Sequence, residues 1–269
     1  MGYLEQGAGE MSRFLAVLFV VCLFLPLQAI PQARLATKLT AKCGVGRLDA
    51  TTSSGGTRDP YEEFSPLERL LFRRFAESVA TELGDGTPSA QNYGELMKMI
   101  NRMTFTRPIS RVNEQGKNML VRLFPPWLLP LYKKLIQSPF PSFSAWMNAW
   151  VTKWTTNWLM GPAQIYDLED GAGKEHGLLI EKCRFLESTG CLRTCLQACK
   201  IPTQSFFMDE MGLPVTLKPN ATDFSCRFEF GVAPLPLAQD PISKSPCLSL
   251  CQQQRSQGGQ PCTPLSISG

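Results

Sequence analysis

Apolar side chains between residues 65 and 160 recur at three- and four-residue steps, the spacing of one helix face. Leu67, Leu70, Leu71, Phe75 and Val79 form the first such stripe. Ser65-Pro66-Leu67-Glu68 precedes it with an N-cap hydroxyl, a proline at the first helical position and an N3 glutamate, so a capped helix is predicted over 66–83, ending before Gly84. Further helices are predicted over 93–103, 112–124, 127–136 and 143–160, each bounded by Gly or Pro. On the last of these Trp146, Trp150, Trp154 and Trp158 stand at four-residue spacing. The rings drift about 40° per step, which makes a curving stripe. One reading places the stripe in helix-packing core. The other has Trp150, Trp154 and Trp158 line a groove for a long apolar ligand, or lets the rings dip into a membrane surface.

Beyond residue 162 the pattern changes. Alternation in Cys226-Arg-Phe-Glu-Phe230 predicts a strand over 227–230, and a second is placed at 215–217. Residues 191–200 contain neither Gly nor Pro and read as helix. The fold class is α+β, predominantly α-helical, with a cysteine-rich C-terminal portion containing short strands. One domain is placed over 59–252, helical over 59–162 and cysteine-rich over 163–252. A glutamine-rich tail, 253–269, reads as disordered.

Composition narrows the classes. At 269 residues, 43% hydrophobic and 19% charged, the chain is too apolar for intrinsic disorder and too mixed for a polytopic membrane protein. The net charge of +4 is concentrated early: beyond residue 58 there are 21 Lys/Arg against 20 Asp/Glu, which argues against a nucleic-acid partner. His176 is the only histidine, which excludes HExxH zinc sites, two-histidine facial triads and four-histidine iron sites. Gly173-Lys174 is followed by Glu175 where a phosphate loop needs Ser or Thr.

Residues 14–27, FLAVLFVVCLFLPL, have the length of a signal-peptide core and are shorter than the roughly 20 residues of a spanning helix. From 30 to 58 stand five basic residues, one acid and seven Ser/Thr, the composition of a transit peptide. Residues 1–58 are therefore set aside as a leader. It directs the chain either to a plastid reached through a signal-type route or simply to the secretory pathway.

Eight cysteines fall between Cys183 and Cys262. Cys191, Cys195 and Cys199 repeat at i, i+4, i+8, so on a helix they share a face. Such thiols suit a soft metal or an iron–sulfur cluster, with Cys183, Cys226, Cys247 and Cys251 available to complete the ligand set. Lys182, Arg184, Arg193 and Lys200 lie close in sequence and favour thiolates. The competing reading is four disulfides in a secreted structural domain, which the Asn220-Ala-Thr222 glycosylation sequon accompanies.

Glu181-Lys-Cys-Arg-Phe-Leu-Glu187, Cys191, Cys195 and Cys199-Lys-Ile-Pro-Thr-Gln204 together resemble the signature of the plant β-carotene isomerase family, dwarf twenty-seven-like. Phe206-Phe207, Met211-Gly-Leu-Pro214, Lys218-Pro-Asn220, Asp223-Phe-Ser-Cys226, Phe230-Gly231 and Pro246-Cys247-Leu-Ser-Leu-Cys251 extend the resemblance in order. It implies a plastid enzyme that uses iron, either non-haem iron or an iron–sulfur cluster, to interconvert all-trans and 9-cis β-carotene for strigolactone or apocarotenoid synthesis. The expected metal ligands are then drawn from Cys183, Cys191, Cys195, Cys199, Cys226, Cys247 and Cys251. The expected partner is an apolar polyene held by Trp150, Trp154, Trp158, Phe206 and Phe207, with peripheral contact to a membrane surface. A carotenoid- or lipid-binding protein without turnover is the alternative.

Overall fold

The computed structural model describes residues 64–244 apart from 85 and 172. The leader, the C-terminal tail, Cys247 and Cys251 lie outside the described residues. Six helical segments come first: α1 (Pro66–Leu83), α2 (Tyr93–Thr106), α3 (Ile109–Val121), α4 (128–137), α5 (Pro141–Thr155) and α6 (Asn157–Met160). Then follow β1 (Ala163–Tyr166), β2 (Gly177–Ile180), α7 (Arg184–Thr189), α8 (192–211), β3 (Val215–Pro219) and β4 (Cys226–Phe230). The strands form one antiparallel sheet in the order β1-β2-β4-β3. The α+β, mainly helical class holds.

The start of α1 is the capping box read from sequence: the Ser65 hydroxyl accepts from the Glu68 N–H, and the Glu68 carboxylate accepts from the Ser65 N–H. Its second oxygen accepts from Asn157 Nδ2 at 3.0 Å, so the same side chain ties α1 to α6. The helix predicted over 112–124 begins earlier, after Pro108, and ends at Val121. The long tryptophan helix is broken at Thr156, whose backbone (φ −112°, ψ 3°) leaves the helical region. Strands β1 and β2 escape a sequence reading. Gly177-Leu-Leu-Ile180 is a four-residue apolar run, too short for periodicity to separate strand from buried helix.

Trp158 lies in the core, edge-on to Phe72 and Phe75 with centroids 5.8 Å apart in both pairs. Helix α5 packs on β1, β2 and β4, and Leu178, Ile180, Val215, Leu217 and Phe230 are fully enclosed in the core.

Helix α8 is continuous although Pro202 sits in its middle. A proline there has no N–H to donate and its ring crowds the preceding turn. The helix answers by widening. The Ile201 N–H reaches five residues back to the Leu196 carbonyl, a π-type bond. A second wide turn closes the helix, where the Gly212 N–H meets the Phe207 carbonyl. Helix α3 crosses α8 at this proline. A Cβ on Gly116 would stand 2.6 Å from Pro202 Cγ and 2.8 Å from its Cβ. From within α8, the Gln204 side-chain oxygen accepts from the Leu217 N–H at 2.9 Å, on the edge strand β3.

Because neither the proline ring nor the buried helix can yield cheaply, Gly116→Ala should cost about 1–3 kcal/mol. Gly94→Ala, whose Cβ would meet only Asn92 Oδ1 at 3.5 Å, should leave stability unchanged or slightly raised. Urea unfolding of both variants checks the pair.

Candidate functional site

Four thiols and one ammonium meet where α8 faces the sheet. Cys195 and Cys199 are one turn apart in the widened part of α8. Cys226 opens β4, opposite Ile180 on one side and Pro219 on the other. Cys183 follows β2, its N–H donating to the Phe224 carbonyl at 2.7 Å, which holds the segment after β2 to the β3–β4 hairpin. These four cysteines and Lys200 line one cavity, walled by Met160, Leu186, Leu217 and Phe228. The cavity is ≈ 10 Å³, room for about one water-sized sphere. A polyene cannot enter it; a single ion is the right scale.

Burial sets the ionisation of these thiols. It pushes Cys195 and Cys226 well above the ordinary thiol value, and each is raised further by the neighbouring cysteines and lowered in part by Lys200. Cys199 is pushed up to about 12, chiefly by burial and then by Cys183, with the Thr203 hydroxyl acting in the opposite direction. Cys183 is also raised by burial, against hydrogen bonds from the Leu186 and Phe185 backbone. All four are therefore neutral thiols in the protein as described.

This corrects the expectation that nearby cations favour thiolates. Lys182 pairs with Glu187 at 2.7 Å. The Arg184 guanidinium lies 3.7 Å over the Tyr93 ring and donates to the Trp158 carbonyl. Arg193 Nε donates to Gln197 at 3.4 Å. Only Lys200 reaches the cavity, and it is buried in an ion pair with Asp240. The pair spans forty residues, and nothing in the sequence joins the two.

Cys191 is not among the residues that line this cavity. It is the N-cap of α8, with extended backbone (φ −142°, ψ 116°), and its carbonyl accepts the Cys195 N–H. The helix starts one residue too late for the three-cysteine face. Cys183, Cys195, Cys199 and Cys226 are thiols, so the disulfides of a secreted structural domain are not built among them. Asn220 of the sequon takes the Thr222 N–H on its side-chain oxygen at 2.9 Å, a turn in the β3–β4 hairpin.

The donor set fits a soft metal in kind, since four sulfurs face one cavity and no carboxylate lines it. Among the described residues, however, no three Cys, His, Asp or Glu side chains stand close enough to share an ion. Metal binding would draw the sulfurs inward and release their protons.

Of the residues read as a polyene groove, Trp158, Phe206 and Phe207 are buried. Phe206 stacks on Phe124 at 5.5 Å, and Phe207 meets Phe230 edge-on at 5.5 Å. Trp154 is exposed. Trp150 is half-buried, and its indole N–H and that of Trp146 both donate to Glu175, at 3.2 and 2.7 Å. Glu175 thus fastens the 173–176 segment to α5, a role the sequence did not suggest. A wider cleft of ≈ 630 Å³ opens between α1 and α2, lined by Phe64, Phe72 and Tyr93 together with Arg69, Arg73 and Arg184. Cys183 and Arg184, adjacent in sequence, face the two different cavities. His176 Nε2 stands 3.4 Å from Ser142 Oγ. Asp167, the nearby acid, accepts the Glu175 N–H at 2.7 Å.

Residues 158–239 match the family described as "Beta-carotene isomerase D27-like, C-terminal". The chain is 27% identical over 223 residues to the protein named "Beta-carotene isomerase D27, chloroplastic" from Arabidopsis thaliana, covering 81% of this chain and 83% of that one. It is 32% identical over 187 residues to the Medicago truncatula protein of the same name, covering 68% of this chain and 64% of that one. Over most of its length the chain is similar to D27-like proteins. Every member of the thiol cavity falls within the matched D27-like segment, as does Cys191. No solved structure matches the chain.

Two outcomes follow for the groups described above. Lys200→Met leaves Asp240 buried without its cation, and a loss of about 3–5 kcal/mol is expected in chemical denaturation, much of it recovered in Lys200→Met/Asp240→Leu. Burial lowers the His176 pKa below its ordinary 6.5, with Ser142 and Asp167 acting the other way. The unfolded chain therefore takes up the proton first, and the stability present above pH 6.5 is lost as pH falls towards the folded value. Melting temperature should fall between neutrality and about pH 5, and fall less in His176→Asn.

Proposed function

We propose that this protein is a plastid enzyme that isomerises a carotenoid between cis and trans forms, converting all-trans to 9-cis β-carotene with the aid of iron. The product would feed strigolactone or apocarotenoid synthesis. What carries the reading is the likeness to two plant proteins named as β-carotene isomerases, together with a family match that spans every wall of the thiol cavity. Both relatives are named chloroplastic, which supports plastid delivery through the signal-type, acid-poor leader.

Isomerisation involves no net redox change, but rotation about a polyene double bond needs its bond order lowered for a moment. Thiolate-bound iron, when present, supplies a reversible electron for that purpose. Cys183, Cys195, Cys199 and Cys226 would hold it, with Cys191, Cys247 and Cys251 as the remaining thiols of the expected ligand set. The chain's own groups prepare the place. Met160, Leu186, Leu217 and Phe228 keep water away from the sulfurs. Lys200 sets a positive charge beside them that offsets the negative charge left when thiol protons depart. The small cavity keeps the polyene outside the thiol cluster.

The full chain, supplied with iron anaerobically and given all-trans β-carotene in detergent micelles, should form a cis product seen by chromatography. Bound pigment with no cis product in iron-replete protein would instead identify a carotenoid-binding protein. Cys195→Ser should lose iron and at least about 10–100-fold in turnover. Its drop in melting temperature should be largely reproduced by stripping iron from the parent. An iron-replete, fully active variant would remove Cys195 from the site.

A further inference from the structure

Residues 115–166 contain five Lys/Arg and no Asp or Glu. Within this span, the stretch from the N-cap of α4 to the first turn of α5 exposes Trp127 (54%), Leu131 (44%), Leu135 (56%), Phe140 (61%) and Phe143 (46%). The first three recur every four residues, which places them on one helix face. The exposure is not that of a loose segment. Leu128, Leu129 and Tyr132 are buried on the opposite face, the Tyr132 hydroxyl is bonded to Ser144, and it accepts from Asn148 Nδ2 at 2.6 Å. The inner face is thus pinned to α5 and the outer one is held open.

Lys133 and Lys134 are exposed beside the apolar row. Lys133 Nζ contacts the Asp209 backbone carbonyl at 3.2 Å, which leaves its charge in place. The carboxylates nearest this end of α8, Asp209 and Glu210, are both paired with Lys117, at 2.9 and 2.7 Å. A row of large apolar and aromatic side chains flanked by lysines is the pattern of a helix lying in a lipid interface, its apolar face in the acyl boundary and its cations among anionic headgroups. A symmetric contact with a second copy would set the same lysines against each other, since an isologous interface repeats one patch on both sides.

We propose that the 127–143 face docks on an anionic lipid bilayer and is where the protein collects its polyene. The docking surface is read from the exposed residues; the identity of the cargo rests on the isomerase reading above. No helix among the described residues is long and apolar enough to cross a bilayer, and the proposed contact lies on the surface.

The leader's own apolar run at 14–27 can tether the full chain to lipid, so total binding is the wrong measurement. The depth of Trp127 is the right one. Vesicles of acyl-brominated phosphatidylcholine with phosphatidylglycerol should quench part of the tryptophan emission of the full chain. Trp127→Phe should remove most of that quenching. Leu131→Ser/Leu135→Ser should require roughly tenfold more lipid for the same effect, as should removal of phosphatidylglycerol or addition of salt. Quenching equal in the parent and in Trp127→Phe, or none in either, would overturn the proposal. A dimer in lipid-free solution that the double leucine variant dissolves would overturn it in favour of a second copy. Turnover separates the two readings. Protein that isomerises micellar carotenoid without Trp127 quenching refutes the docking face alone, and protein quenched through Trp127 but inactive in micelles refutes the isomerase alone.

Discussion

The close passage of Gly116 beneath Pro202 is the constraint on which the candidate site depends. A proline in the middle of α8 has to be accommodated, and the helix does so by opening the turn that carries Cys195 and Cys199. Helix α3 can lie against that distorted stretch only because residue 116 has no side chain. Pro202 also divides α8 by chemistry. The half before it turns thiols and Lys200 towards the sheet, and the half after it sends Phe206 and Phe207 into the aromatic core. Phe124, just past α3, stacks on Phe206, so α3 grips both sides of the proline.

Local signals were the legible part of the fold. Ser65 and Glu68 make a cap from four adjacent residues, and such a device can be read without knowing anything else. The second contact of Glu68, to Asn157, joins positions 89 residues apart and leaves no local trace. The tryptophan helix was legible as an amphipathic segment. Its break at Thr156 was not, since Thr156 is an unremarkable residue in the middle of that stripe. Strand β2 failed for want of length, and its partner β1 carries only four residues of mixed burial.

At the candidate site the residue types were legible and their grouping was not. Cysteine spacing suggested a shared face for Cys191, Cys195 and Cys199, but where a helix begins decides which members of a periodic series take part, and Cys191 falls at the cap. Cys183 and Cys226 join through strand pairing between β2 and β4, a relation no spacing rule expresses. Charge misled in a similar way. Lys182, Arg184 and Arg193 are near the cysteines along the chain, yet each turns to a different partner, and desolvation then governs the thiols. Asp240 became relevant only through Lys200, because a buried cation requires a counter-charge and the fold supplies it from forty residues away.

Strand β3 lies at one edge of the sheet. Edge strands invite other chains to add on through their unpaired backbone groups. In this protein the Leu217 N–H is already taken by the side chain of Gln204, which reaches across from α8 and occupies a bond an incoming strand would need. The helix that presents the thiols therefore also acts as a guard rail against strand-by-strand aggregation. A chain that lost Gln204 could keep its cavity intact and still become adhesive along this margin.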